Sequence, residues 1–122
     1  MSPIRASLAV TLAVAALAAR AEWGYRLGEP RPAQQGSFCA SEEEARAVAE
    51  VFRRFGARPG YAALARAAGC ATRVLAFTPR RIVAEVTLGA GGENEYVVRF
   101  VEVESEDGAV HYLFTTRAVT PR

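Results

Sequence analysis

The sequence predicts an α+β fold: a disulfide-stapled helical hairpin followed by a three- or four-stranded antiparallel meander. Three observations carry that expectation. Apolar residues recur at helical spacing between positions 41 and 69, and residues 73–115 alternate with a period of two. The chain also holds two cysteines, Cys39 and Cys70, one just before the helical stretch and one just after it.

The chain opens with a segment that has the pattern of a cleavable secretory signal peptide, residues 1–21. Arg5 supplies the positive start, residues 6–19 are apolar apart from Ser7 and Thr11, and Ala19-Arg20-Ala21 gives an A-x-A cleavage site before Glu22. A membrane span needs about 20 apolar residues, and Arg20 ends this stretch short of that. The expectation is export, to the periplasm or beyond, with no stable membrane anchor after signal cleavage. Residues 22–38 follow as an extended N-terminal arm. Pro30 and Pro32 forbid regular helix there and disfavour a central strand.

Residues 39–122 form a single α+β domain in this reading. Ser41-Glu42-Glu43-Glu44 is a capping box, Arg53 and Arg54 suit the far end of the helix dipole, and Gly56 supplies a stop. Ala45, Val48, Ala49, Phe52 and Phe55 make one apolar face. After a turn over residues 56–59, Tyr61, Leu64, Ala65 and Ala68 share a face of a second, shorter helix that ends at Gly69. Two antiparallel helices of about 20 and 14 Å bring Cys39 and Cys70 to the same end, and an oxidising compartment favours their pairing.

Strands are expected over residues 73–78, with a break at Pro79, and over 81–88, with Ile82, Ala84, Val86 and Leu88 on one face. A glycine-rich turn precedes residues 96–104, where Tyr96, Val98 and Phe100 oppose Val97, Val101 and Val103. Glu106-Asp107-Gly108 marks a hairpin into Val110, Tyr112 and Phe114, which alternate with His111, Leu113 and Thr115. The last two strands are apolar on both faces. One face covers the helices; the other curls into a half-barrel, is covered by the arm, or meets a partner. SH3-like and cystatin-like topologies both fit.

Composition narrows the function. All fifteen Lys+Arg positions are arginine, and the formal net charge is +2. Arg5 and Arg20 are the only charges before Glu22, so the mature chain is near neutral and its arginines are dispersed among acids. A nucleic-acid partner calls for a concentrated basic surface, and none is expected. With one histidine and two disulfide-paired cysteines, no metal or other cofactor is expected. His111 with Glu102 or Glu104 across the hairpin is the one acid–base pair that suggests a hydrolase or lyase. No nucleophile or oxyanion feature accompanies it, so no catalytic residue is assigned.

The function expected is a non-catalytic protein-binding module of the bacterial cell envelope, with an envelope or extracellular protein as partner. Its interface residues would be Trp23, Tyr25, Val97, Val101, Val103 and Leu113. A small secreted inhibitor of a hydrolase is the alternative, acting through loops 89–95 and 105–109.

Overall fold

The computed structural model describes residues 23–121. The signal peptide read over residues 1–21 lies outside the described residues. The elements in chain order are β1 (Tyr25–Arg26), β2 (Arg31–Cys39), α1 (Glu42–Phe55), α2 (Ala57–Arg66), β3 (Cys70–Leu88), β4 (Tyr96–Ser105), β5 (Val110–Thr115) and β6 (Val119–Thr120). Among the described residues the fold is α+β: two helices and an antiparallel sheet of four strands whose order, β2-β3-β4-β5, closes on itself. β1 and β6 form a separate short parallel pair.

α1 starts where the sequence predicts. Ser41 Oγ accepts the amide of Glu44 at 3.1 Å, which satisfies one of the free donors of the first turn. The reciprocal half of the capping box is not made, and the Glu44 carboxylate lies against Gly69, in space that a side chain there would fill. Ala45, Val48, Ala49 and Phe52 are buried as expected, but Phe55 is 67% exposed.

The expected four-residue turn shrinks to Gly56 alone, whose φ of 92° is the left-handed conformation that ends α1. α2 then begins at Ala57 and accommodates Pro59 in its first turn, where a missing amide hydrogen costs nothing. Its buried residues are Gly60 and Leu64, not the predicted face of Tyr61, Leu64, Ala65 and Ala68. The reason is close approach: a Cβ at Gly60 would run into the Phe52 ring, so α2 packs on its smallest residue and turns Tyr61 outward.

The arm is extended, but its second half is part of the sheet. Residues 31–39 form β2, antiparallel to β3 along Gln34–Cys39 and to β5 through Ser37, Phe38 and Cys39. The prolines are tolerated because the register slips between Arg31 and Gln34, and a bulge removes the need for a donor at Pro32. β3 likewise runs unbroken from Cys70 to Leu88, with bulges between Pro79 and Arg81 and between Ile82 and Ala84. Each bulge inserts one residue and swaps the faces. Ile82 therefore faces Val101, while Ala84, Val86 and Leu88 face Phe100, Val98 and Tyr96 on the opposite side. The predicted single face of Ile82, Ala84, Val86 and Leu88 is split for that reason.

The sheet thus separates two cores. On its outer face α1 and α2 cover Val83, Val86, Leu88, Val98, Phe100 and Tyr112. Its inner face encloses Phe38, Phe77, Val101, Val103 and Leu113, with Tyr25, Leu27 and Val119 closing one end. Cys39 and Cys70 are cross-strand partners at the start of the helical pair, bonded at 2.06 Å. The disulfide indicates an oxidising, non-cytoplasmic environment. No helix among the described residues is long and apolar enough to cross a membrane.

Candidate functional site

The interface residues expected from the sequence do not share one surface. Val101 and Val103 are fully buried, and Leu113 and Tyr25 nearly so, all within the inner core. Closure of the sheet covers the face that the sequence left open to a partner, so Val101, Val103, Leu113 and Tyr25 are packing residues. Val97 is half-buried opposite Thr87. Trp23 is 71% exposed, with the Arg117 guanidinium 5.4 Å from its ring and 5.6 Å from that of Tyr25. Tyr25 is fixed further by its hydroxyl, which donates to Gln34 Oε1 at 2.9 Å.

The expected pairing of His111 with Glu102 or Glu104 is not formed. His111 stands opposite Val103, and Glu102 opposite Tyr112. Alternation along β4 and β5 therefore sends the imidazole to the inner face and both carboxylates to the outer one. The His111 ring meets Phe38 edge-on, 6.2 Å between centroids. Glu102 accepts from Arg81 at 2.9 Å and from the Tyr112 hydroxyl at 3.4 Å. Arg81 also donates to Glu42 at 2.5 Å, and Glu42 accepts from Arg46 at 2.7 Å, so this chain of charges ties α1 to the sheet. Hydrogen bonds from Arg46 and then Arg81 hold the Glu42 carboxyl below its ordinary range. Glu104 pairs with Arg80 at 3.0 Å. These carboxylates are engaged by arginines, and among the described residues no cluster has the composition of a metal site.

The acidic hairpin is a tightly held turn. The Ser105 amide donates to the Ala109 carbonyl at 2.8 Å, and Asp107 accepts from both the Ser105 hydroxyl and the Ala109 amide. The Ser105 bond first, then the Ala109 amide, lower the Asp107 carboxyl pKa.

The most developed surface is one the sequence did not reveal. Tyr61 of α2, Tyr96 at the start of β4 and Phe114 of β5 converge over Phe52. Tyr61 meets Phe52 at 5.1 Å and Phe114 at 5.6 Å, both edge-on, while Phe52 and Phe114 stack at 5.6 Å. Tyr61 and Tyr96 keep 40% and 36% of their surface in solvent. Burial, then the adjacent Tyr96 hydroxyl, push the Tyr61 phenol up to about 12. Beside this shelf runs an open groove of about 400 Å³ between α2 and the strands, lined by Tyr61, Leu64, Ala65, Ser37, Cys70 and Thr72. The rings of the shelf come from four separate elements, so no local sequence pattern announces it. Comparison with protein-family models, with curated proteins and with solved structures finds no match.

Proposed function

We propose that this chain is an exported, protein-binding module of the bacterial cell envelope that recognises its partner through the Tyr61–Tyr96 shelf and the adjoining groove. The observation that supports this reading most directly is the exposure of two tyrosines on a rigid aromatic base. Tyrosine is enriched where binding energy concentrates, because it presents a large surface with few rotatable bonds and a polar tip. The base needs no reorganisation on binding, since Phe52 and Phe114 are already stacked beneath. Export follows from the signal-like segment 1–21 and agrees with the disulfide. Architecturally, a ring of strands with its helices outside favours the SH3-like over the cystatin-like alternative, because the sheet closes on itself and does not wrap a helix.

The test is affinity capture with tagged, oxidised full-length protein from envelope extract, comparing wild type with Tyr61→Ser and Tyr96→Ser. The expected result is a reproducible partner whose recovery falls at least about tenfold in each variant, with both variants still folded at the temperature of the capture. Capture that is blank, or indifferent to both substitutions, refutes the shelf as an interface.

The inhibitor alternative has one observation in its favour, the internally bonded turn over residues 105–109. A loop already fixed in its bound shape loses little entropy on docking. Residues 89–95 show one comparable tie, from the Gly91 amide to Glu95 at 2.8 Å.

A further inference from the structure

β3 is longer than either of its neighbours, and this leaves part of its edge open. Along Cys70–Phe77 it pairs with β2 on one side. On the other side β4 begins only at Phe77, opposite Ser105, and then turns away through Glu106-Asp107-Gly108. Residues 70–76 therefore have no strand on that side among the described residues; the turn before them touches only their start, where the Cys70 amide donates to the Ala67 carbonyl at 3.1 Å, and no turn or loop bonds the backbone of residues 71–76 there. A row of free amides and carbonyls is a template for a further strand.

The side chains along this edge carry none of the usual protection. It has neither proline nor bulge between residues 70 and 76, and Val74 is 66% exposed. Two arginines near it in the chain are not paired with an acid. Arg73 lies within the edge and Arg66 ends α2 four residues before it, and neither makes an ion pair among the described residues. Arg46, Arg53, Arg54, Arg80, Arg81 and Arg99, by contrast, each hold a carboxylate within 3.0 Å. Where β4 departs, a depression of about 140 Å³ walled by Pro30, Ala76, Phe77, Thr78 and Glu104 marks the end of the free edge. Ala71 and Thr72 belong both to this edge and to the groove below Tyr61.

We infer that the free edge of β3 receives an extended acidic segment of the partner protein as an added antiparallel strand. This rests on the binding-module reading and specifies the partner's chemistry. Antiparallel addition follows the pattern of both existing β3 ladders. The incoming strand places Asp or Glu opposite Arg73 and an apolar residue opposite Val74, since directly opposed residues share a face. Backbone pairing supplies affinity and these side chains supply selectivity.

The experiment uses full-length oxidised protein and two synthetic heptapeptides of alternating valine with either glutamate or lysine. Binding is measured by titration calorimetry and mapped by amide hydrogen exchange. The Glu peptide is expected to bind and slow exchange within residues 70–76, and the Lys peptide to bind at least about tenfold more weakly. Arg73→Glu should invert the preference, a result that loss of folding cannot imitate. Arg66→Glu, at a helix end remote from the core, should weaken the Glu peptide about threefold without inversion.

Protection that maps to Tyr61 and Tyr96 instead overturns the edge inference and leaves the binding-module reading standing. Concentration-dependent self-association that protects residues 70–76 without peptide also overturns it, by making a second copy the occupant. Absence of peptide binding, or binding indifferent to Arg73→Glu, overturns it whether or not the envelope capture succeeds.

Discussion

Tyr61 shows how one side chain reports on its surroundings. Its ring is gripped edge-on by Phe52 and Phe114, and its hydroxyl sits beside that of Tyr96. Partial desolvation of the hydroxyl, then its hydrogen bond with Tyr96, disfavour ionisation, so the phenol pKa rises from 10.0 to about 12. The folded state then holds that proton more tightly than the unfolded chain does. The resulting contribution to stability is complete below the unfolded value of 10.0 and is lost as pH rises through about 12. Tyr112, raised chiefly by burial, acts in the same direction. Thermal unfolding followed across this alkaline window should show a falling midpoint, with a shallower fall in Tyr61→Phe. Equal slopes in the two proteins would show that the phenol is not held as described.

At the scale of elements, what was legible was what local sequence controls. The cap at Ser41, the buried face of α1, the stop at Gly56 and the two-faced character of β4 all depend on residues close in the chain. What escaped depends on tertiary contact. The prolines near residue 31 argued against a central strand, yet a register slip lets β2 close the ring. Two bulges in β3 undid a face assignment based on strict alternation. The Tyr61–Tyr96 shelf needs the rotation of α2 that Gly60 permits, and the identity of a glycine does not announce which helix will lie on it. The cysteine pairing was legible because redox context and chain direction agree. Closing a loop across a sequence separation of 31 restricts the unfolded chain by about 3–4 kcal/mol. The double variant Cys39→Ala, Cys70→Ala should therefore unfold about 12–32 °C lower. A shift of only a few degrees would mean that the reduced chain keeps those ends together.

For the molecule as a whole, closure of the sheet decides which apolar residues are available to others. Val101 is packed beneath Phe38, Phe77 and Leu113 in the inner core and has no exposed surface. Replacing it with asparagine forfeits about 1.5–3 kcal/mol of apolar burial and strands a polar group at about 1–3 kcal/mol more. Against a typical total of about 5–15 kcal/mol, Val101→Asn should lower the urea midpoint steeply or abolish folding. A near-normal midpoint would show that this face is open to solvent and would restore it as a candidate interface.

The backbone does one more thing where the helical pair leaves the sheet. The Ala40 amide donates to the Gly69 carbonyl at 2.8 Å, which extends the β2–β3 ladder one step past the bonded cysteines. Viewed from the ring, β2 and β3 are the two arms of an ordinary hairpin, and both helices together occupy the position of its turn. The residues between are an insertion that enters and leaves the ring at a single gate, with the covalent bond as its latch, and that is held over the outer face by packing and by the Arg81–Glu42 pair. Length and sequence within that insertion are free to change without disturbing the register of any strand, provided the outer face stays covered. The ring is a frame, and the helical pair a cartridge seated in it.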